Sequence, residues 1–169
     1  MNILLRLTHG LHDRLLRDLR RPHPYAAERV AFAFGRHAAT PTGGVIVLST
    51  FEPVEDADYE DDPRVGARIG ARAIHDALQR ASTLGAAAFH AHVHEHVGTP
   101  RFSRTDLREL PPVMQPFAYV VPTQPRGLFL LSEDDCAGLV WLPRDEKPLA
   151  IRDVTVVGAP MKLLHGERI

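Results

Sequence analysis

The sequence predicts an α/β (α+β) fold, a mixed, curved β-sheet flanked by helices, formed as one domain over residues 1–169. Three observations predict it. Strand-like and helix-like segments are interspersed along the whole chain, with no repeat, low-complexity tract or linker to divide it. From Pro63 to Ser82, Val65, Ile69, Ala73, Ala77 and Ala81 recur every four residues, the mark of a long amphipathic helix. The run from Ala86 to His94 follows that helix, which can serve as the crossover that lets it pair parallel to an earlier strand.

The first element is a strand, Asn2 to Leu7, and Leu11, Leu15 and Leu19 then give a helix from about Gly10 to Arg21, stopped by Pro22 and Pro24. Its Arg14, Arg17, Arg20 and Arg21 suit a solvated face near a helix C-terminus. Glu28 to Gly35 and Val45 to Leu48 read as two strands of a hairpin around Pro41-Thr42-Gly43-Gly44, with Glu28 at the open end. Glu52 to Asp62 holds seven carboxylates without the glycine and terminal glutamate of a calcium loop, so it reads as a solvated loop able to meet a basic partner. After the Ala86–His94 strand, Ser103 caps a helix that Pro111 and Pro112 close. The last third reads as strands at Ala118–Val121, Gly127–Leu131, Gly138–Leu142 and Asp153–Val157.

Composition narrows the function classes. A formal net charge of −1 argues against a nucleic-acid binder. The single cysteine, Cys136, excludes an internal disulfide and any zinc site needing two thiolates, and reads as a small buried hydrophobe. The N-terminal apolar stretch is too short for a signal peptide, and no later run approaches about 18 apolar residues, so a cytoplasmic protein is expected. At 169 residues the chain is also too short for an eight-fold α/β barrel of about 250.

Chemistry concentrates in His90-Ala91-His92-Val93-His94-Glu95-His96, four of the ten histidines in alternation. On a strand their imidazoles share one face, while Phe89, Ala91 and Val93 take the other. Packing gains little from a stripe of titratable rings, but a metal or an anion would justify one. Two neutral imidazoles at i and i+2 can meet one zinc at about 2.0 to 2.1 Å, with a carboxylate from the next helix as third ligand and the fourth position open. Nucleobase deaminases need two more cysteines, and the zincin pattern His-Glu-x-x-His is absent.

His92-Val93-His94, then Ser103 and Asp106 in a Ser-x-x-Asp pattern, with Glu28 upstream on a strand, resemble the JAMM motif of the JAB/MPN zinc metalloproteases. The stretches Gly138–Trp141 and Val156–Pro160 resemble the bacterial members that accompany ubiquitin-like systems. Two departures stand out: Glu95 occupies the position of the family's proline, and the spacer to the serine is one residue longer. The resemblance implies the cytidine-deaminase-like JAB/MPN architecture and a zinc ion held by His92, His94 and Asp106. It also implies Glu28 as general base and Ser103 as oxyanion stabiliser. The expected activity is that of a deubiquitinase-like isopeptidase, cutting at the C-terminus of a ubiquitin-like or sulfur-carrier protein. Its partners would be that protein or its conjugates and ubiquitin-activating-like and ubiquitin-conjugating-like enzymes, with no nucleic acid or membrane. An extended tail would add to an exposed strand edge beside the zinc. His90 would flank the site and His96 would lie in the loop.

Two other readings compete. His90-Ala91-His92-Val93-His94 also resembles the core of the histidine-triad nucleotide hydrolases, which attack an α-phosphate without metal. A catalytically silent MPN-type scaffold is the third. From the residues alone, Ser103 and Asp106 also read as an ordinary capping box.

Overall fold

A computed structural model describes residues 1–165 of the chain. The strands are β1 (Asn2–Thr8), β2 (Val30–Thr40), β3 (Gly43–Pro53), β4 (Ala87–Val93), β5 (Arg126–Leu131), β6 (Cys136–Trp141), β7 (Leu149–Val157) and β8 (Lys162–His165). The α-helices are α1 (His9–Leu19), α2 (Ala71–Leu84), α3 (Arg104–Met114) and the single turn α4 (Phe117–Val120). The domain expected over 1–169 is thus described except for its last four residues.

The open curved sheet flanked by helices, and with it the expected cytidine-deaminase-like JAB/MPN architecture, is corrected by the strand pairing. The strands run in the order β1-β3-β2-β4-β5-β6-β7, and β7 pairs back in parallel with β1, so the seven strands form a closed barrel with few helices. Leu5 is opposite Ile46 on one side and Val154 on the other. Closure removes the free edges that an open sheet must otherwise protect. On β7 the ladder to β6 takes only Leu149 and Ala150, and β8 continues it from Asp153 to Val156.

The inner face of a closed sheet must draw on every strand, and one hydrophobic cluster does. Leu5, Ala33, Ile46, Phe89, Phe129, Val140 and Val154 belong to it, together with Leu11, Leu15 and Leu19 of α1. A register shift between Ile3 and Leu4, opposite Ile151 and Asp153, resets the alternation so that Ile151, Val154 and Val156 are all buried. A second cluster, with Phe32, Phe34, Leu128 and Trp141, lies on the other face under α2, α3 and α4. The even-numbered side chains of β4, including His90 and His92, share this second face, since His90 pairs with Phe32 and His92 with Val30.

Other expectations are also adjusted. The β2–β3 hairpin forms, but with longer strands than read and a turn of Pro41 and Thr42 alone, Gly43 and Gly44 belonging to β3; Glu28 lies just before its open end. The strand β4 pairs antiparallel with β2 and parallel with β5; β3 is parallel to β4, but β2 lies between them. The helix expected from Pro63 starts only at Ala71, with Gly70 as its N-cap, because residues 63–70 are held as a loop by ion pairs. The helix α3 continues through Pro111 and Pro112, beyond which fully buried Met114 anchors it. The expected strand Ala118–Val121 is instead the turn α4 with its C-cap Val121; Phe117 and Val121, four apart, are buried while Tyr119 is exposed. Cys136 is fully buried, and burial pushes its thiol pKa far up.

Candidate metal centre

The β4 strand and its extension carry the site. His92 is 2% exposed near the end of β4. His94 lies one residue beyond the strand, but its N–H donates to the Leu131 carbonyl at 2.9 Å, which prolongs the ladder and keeps its ring on the His92 face. The two ring centroids are 5.2 Å apart. Asp106 reaches the rings from the first turn of α3, and Glu28 from the segment entering β2.

Asp106 Oδ1 lies 3.6 Å from His92 Nε2, Asp106 Oδ2 3.7 Å from His94 Nε2, and Glu28 Oε1 3.7 Å from His94 Nε2. These separations are too long for hydrogen bonds. They are close to the ligand–ligand spacing of about 3.4 Å that tetrahedral geometry with 2.1 Å bonds requires. Donor atoms of Glu28, His92 and His94 all lie within 4.8 Å of one another, and this cluster could hold a metal ion. Both ring nitrogens of His92 are buried without a hydrogen-bond partner, a costly state for polar atoms unless a further group binds there. The residues therefore fit a metal.

The electrostatics agree with that fit. Burial and the adjacent His92 ring lower the His94 pKa, outweighing the opposite pull of Glu28 and Asp106, so the ring is neutral at pH 7, as a ligand must be. Burial opposes ionisation of Asp106, but His92 together with the Ser103 hydroxyl and amide outweighs it and holds the carboxyl well below the usual range. His90 is buried deeper on the strand, and desolvation pushes it down to about 3. Its Nδ1 has no partner.

No protein-family model matches the chain, and no curated protein matches it.

Each sequence-predicted site residue can be placed. His92, His94, Asp106 and Glu28 converge. Ser103 is the N-cap of α3: its Oγ accepts from the Asp106 N–H at 3.0 Å, while its own N–H donates to Asp106 Oδ2 at 2.7 Å. Ser103 is therefore a cap and a neighbour of the site at once. His96 is exposed, with Nδ1 3.0 Å from the Val97 carbonyl oxygen and its ring centroid 6.4 Å from that of His94. Glu95, in the position of the family's proline, is exposed and lines a second cavity, of about 500 Å³, that Glu28 also borders.

The sequence reading missed the wall of the site. A cavity of about 450 Å³ opens over Glu28, His92 and Asp106, bounded on one side by residues 64–69 and on the other by α3. The acidic stretch leading into that wall is bound by the chain's own arginines. Asp62 pairs with Arg64 and Arg68, Glu60 with Arg68, Asp58 with Arg72, and Asp56 with buried Arg29. Asp62 is held well below the usual carboxylate range by Arg64 and then Arg68. The block of carboxylates from Asp56 to Asp62, followed directly by Arg64, Arg68 and Arg72, was the available signal for this fold-back. The expected open strand edge is absent from β4, which is paired on both sides by β2 and β5.

Among the described residues, no helix is long and apolar enough to cross a membrane.

Proposed function

We propose that this protein is a zinc-dependent metallopeptidase that hydrolyses the peptide or isopeptide bond at the C-terminus of a ubiquitin-like or sulfur-carrier protein. The observation that carries the reading is the convergence of His92, His94, Asp106 and Glu28 at 3.6 to 3.7 Å, with Glu28, His92 and Asp106 lining the 450 Å³ cavity. The reading rests on these site residues and on their resemblance to the JAMM motif, independent of the barrel, since unrelated folds can carry the same chemistry.

In this proposal His92, His94 and Asp106 hold the metal, and Glu28, the most exposed of the four, stays free for proton transfer. Bound zinc would lower the pKa of a water to about 7 and polarise a carbonyl. Glu28 takes the proton of the attacking water and delivers it to the leaving amine. Ser103 Oγ accepts from the Asp106 amide, and its hydroxyl proton, which in the resting site helps hold Asp106 ionised, would turn to the developing oxyanion. The segment 64–69, in place of a barrel edge, is the wall along which an extended tail would lie.

Two carboxylates within 4 Å of the imidazoles also weigh against the histidine-triad alternative, because they repel an anionic α-phosphate. The test is zinc-loaded protein incubated with diglycine-ended ubiquitin-like fusions and conjugates, including any encoded beside its own gene. Cleavage after the diglycine, lost in Glu28→Gln, is the expected result. Stoichiometric zinc with no cleavage of any such substrate would overturn the proposal.

A further inference from the structure

We propose that Gly66 is a positioning residue whose missing side chain leaves the space in which the Glu28 carboxylate is held against His94. The inference rests on reading Glu28 as the proton-transferring group. A Cβ placed on Gly66 would lie 2.6 Å from Glu28 Cδ and 2.7 and 2.9 Å from its two carboxylate oxygens. The same pair is joined through the backbone, since the Glu28 N–H donates to the Gly66 carbonyl at 3.0 Å. Gly66 therefore fixes both ends of Glu28: its carbonyl sets where the main chain enters β2, and its bare Cα sets where the carboxylate stops.

Backbone conformation does not explain a glycine here. Among the described residues the glycines with positive φ are Gly85, Gly98 and Gly158, so the main chain at Gly66 accepts an L side chain without strain. Nor can the loop easily back away. It is clamped by the bridge between Tyr59 and Ile69, by the Glu60 N–H on the Arg68 carbonyl at 2.8 Å, and by the Gly70 N–H on the Asp58 carbonyl at 2.7 Å. Arg64 and Arg68 both bind Asp62 across its base. Of the two partners, the far end of the Glu28 side chain is the one that yields. An added methyl therefore displaces the carboxylate and leaves the fold in place. Misplacement of a reacting group by about 1 Å can cost on the order of 100-fold in rate.

The test is a double-mutant cycle of Gly66→Ala and Glu28→Gln in the full-length, metal-loaded protein. Expected for Gly66→Ala is a fall in kcat of roughly 10- to 100-fold with KM, metal content and Tm unchanged, and no further loss when it is added to Glu28→Gln. A wild-type kcat, or an equal loss on the Glu28→Gln background, would overturn the proposal. A second readout needs no activity: the visible spectrum of the cobalt(II)-loaded protein. Both single variants should change it from wild type, and the double variant should match Glu28→Gln. If wild type cleaves nothing, the proposed function fails, and the cobalt spectra still decide the Gly66 contact. A Glu28→Gln or Gly66→Ala spectrum identical to wild type in that case overturns the contact as well.

Discussion

Ser103 and Asp106 hold each other through two hydrogen bonds, from the Ser103 amide to Asp106 Oδ2 at 2.7 Å and from the Asp106 amide to Ser103 Oγ at 3.0 Å. That reciprocal cap starts α3 and at the same time aims the Asp106 carboxylate at two imidazoles. The capping and metal-binding readings of these residues are therefore not rivals. In the proposed site the cap would make the carboxylate a rigid ligand, because its rotamer is fixed before any metal arrives.

The two roles separate on mutation. Asp106→Ala should lower stability by about 1 kcal/mol through the lost cap, and it should also abolish stoichiometric zinc binding. Metal analysis of the purified variant is the check, and a zinc content equal to wild type would leave Asp106 as a helix residue only.

Ser103→Ala loses the hydroxyl but keeps the Asp106 carboxylate. Zinc content should stay at the wild-type level, stability should fall by about 1 kcal/mol, and kcat should fall by up to about 100- to 1,000-fold if the hydroxyl serves the oxyanion. A variant with unchanged kcat would confine Ser103 to capping.

Glu28 is the residue on which metal ligation and catalysis make different predictions. As general base it should, when changed to glutamine, keep its zinc and lose at least about 100-fold in kcat. As third ligand, the role its place in the Glu28, His92 and His94 cluster would also allow, the same change should empty the site. Zinc stoichiometry measured beside turnover distinguishes them.

Buried His90 makes the metal-free protein sensitive to acid. Its folded pKa, about 3, lies below the unfolded value of 6.5, so between those limits the unfolded chain binds more protons and stability falls as pH falls. His90→Phe, beside the ring of Phe32, should flatten urea-denaturation stability against pH by up to about 1.4 kcal/mol per pH unit in that window. His94 and His12 shift the same way and will leave a residual slope. An unchanged slope would mean that His90 reaches solvent.

Barrel closure is testable without any ligand. Both sides of β1 are paired, so the amides from Ile3 to Leu7 should exchange as slowly as those of central β4. Leu5→Ala, a truncation on the closing strand, should cost about 2 to 5 kcal/mol. Fast exchange along β1 would indicate an open sheet.

The local elements and the identity of the candidate ligands are legible from the order of residues alone. Two-residue alternation placed the histidines on one face of β4, leucine spacing gave α1, and the Ser-x-x-Asp pattern gave the cap of α3, because each depends on neighbours within a few residues. Closure of the sheet is not legible there. Leu5 meets Val154 across almost the whole chain, and short-range periodicity carries no information about which strands meet. Periodicity is equally blind in the segment from Pro63 to Gly70: its four-residue spacing is genuine, but the pairs of Arg68 with Glu60 and Asp62, eight and six residues back, hold it as the wall of the site. Gly66 was invisible for that reason as well. Its significance is a contact with Glu28, made only when the wall folds back over the entry to β2.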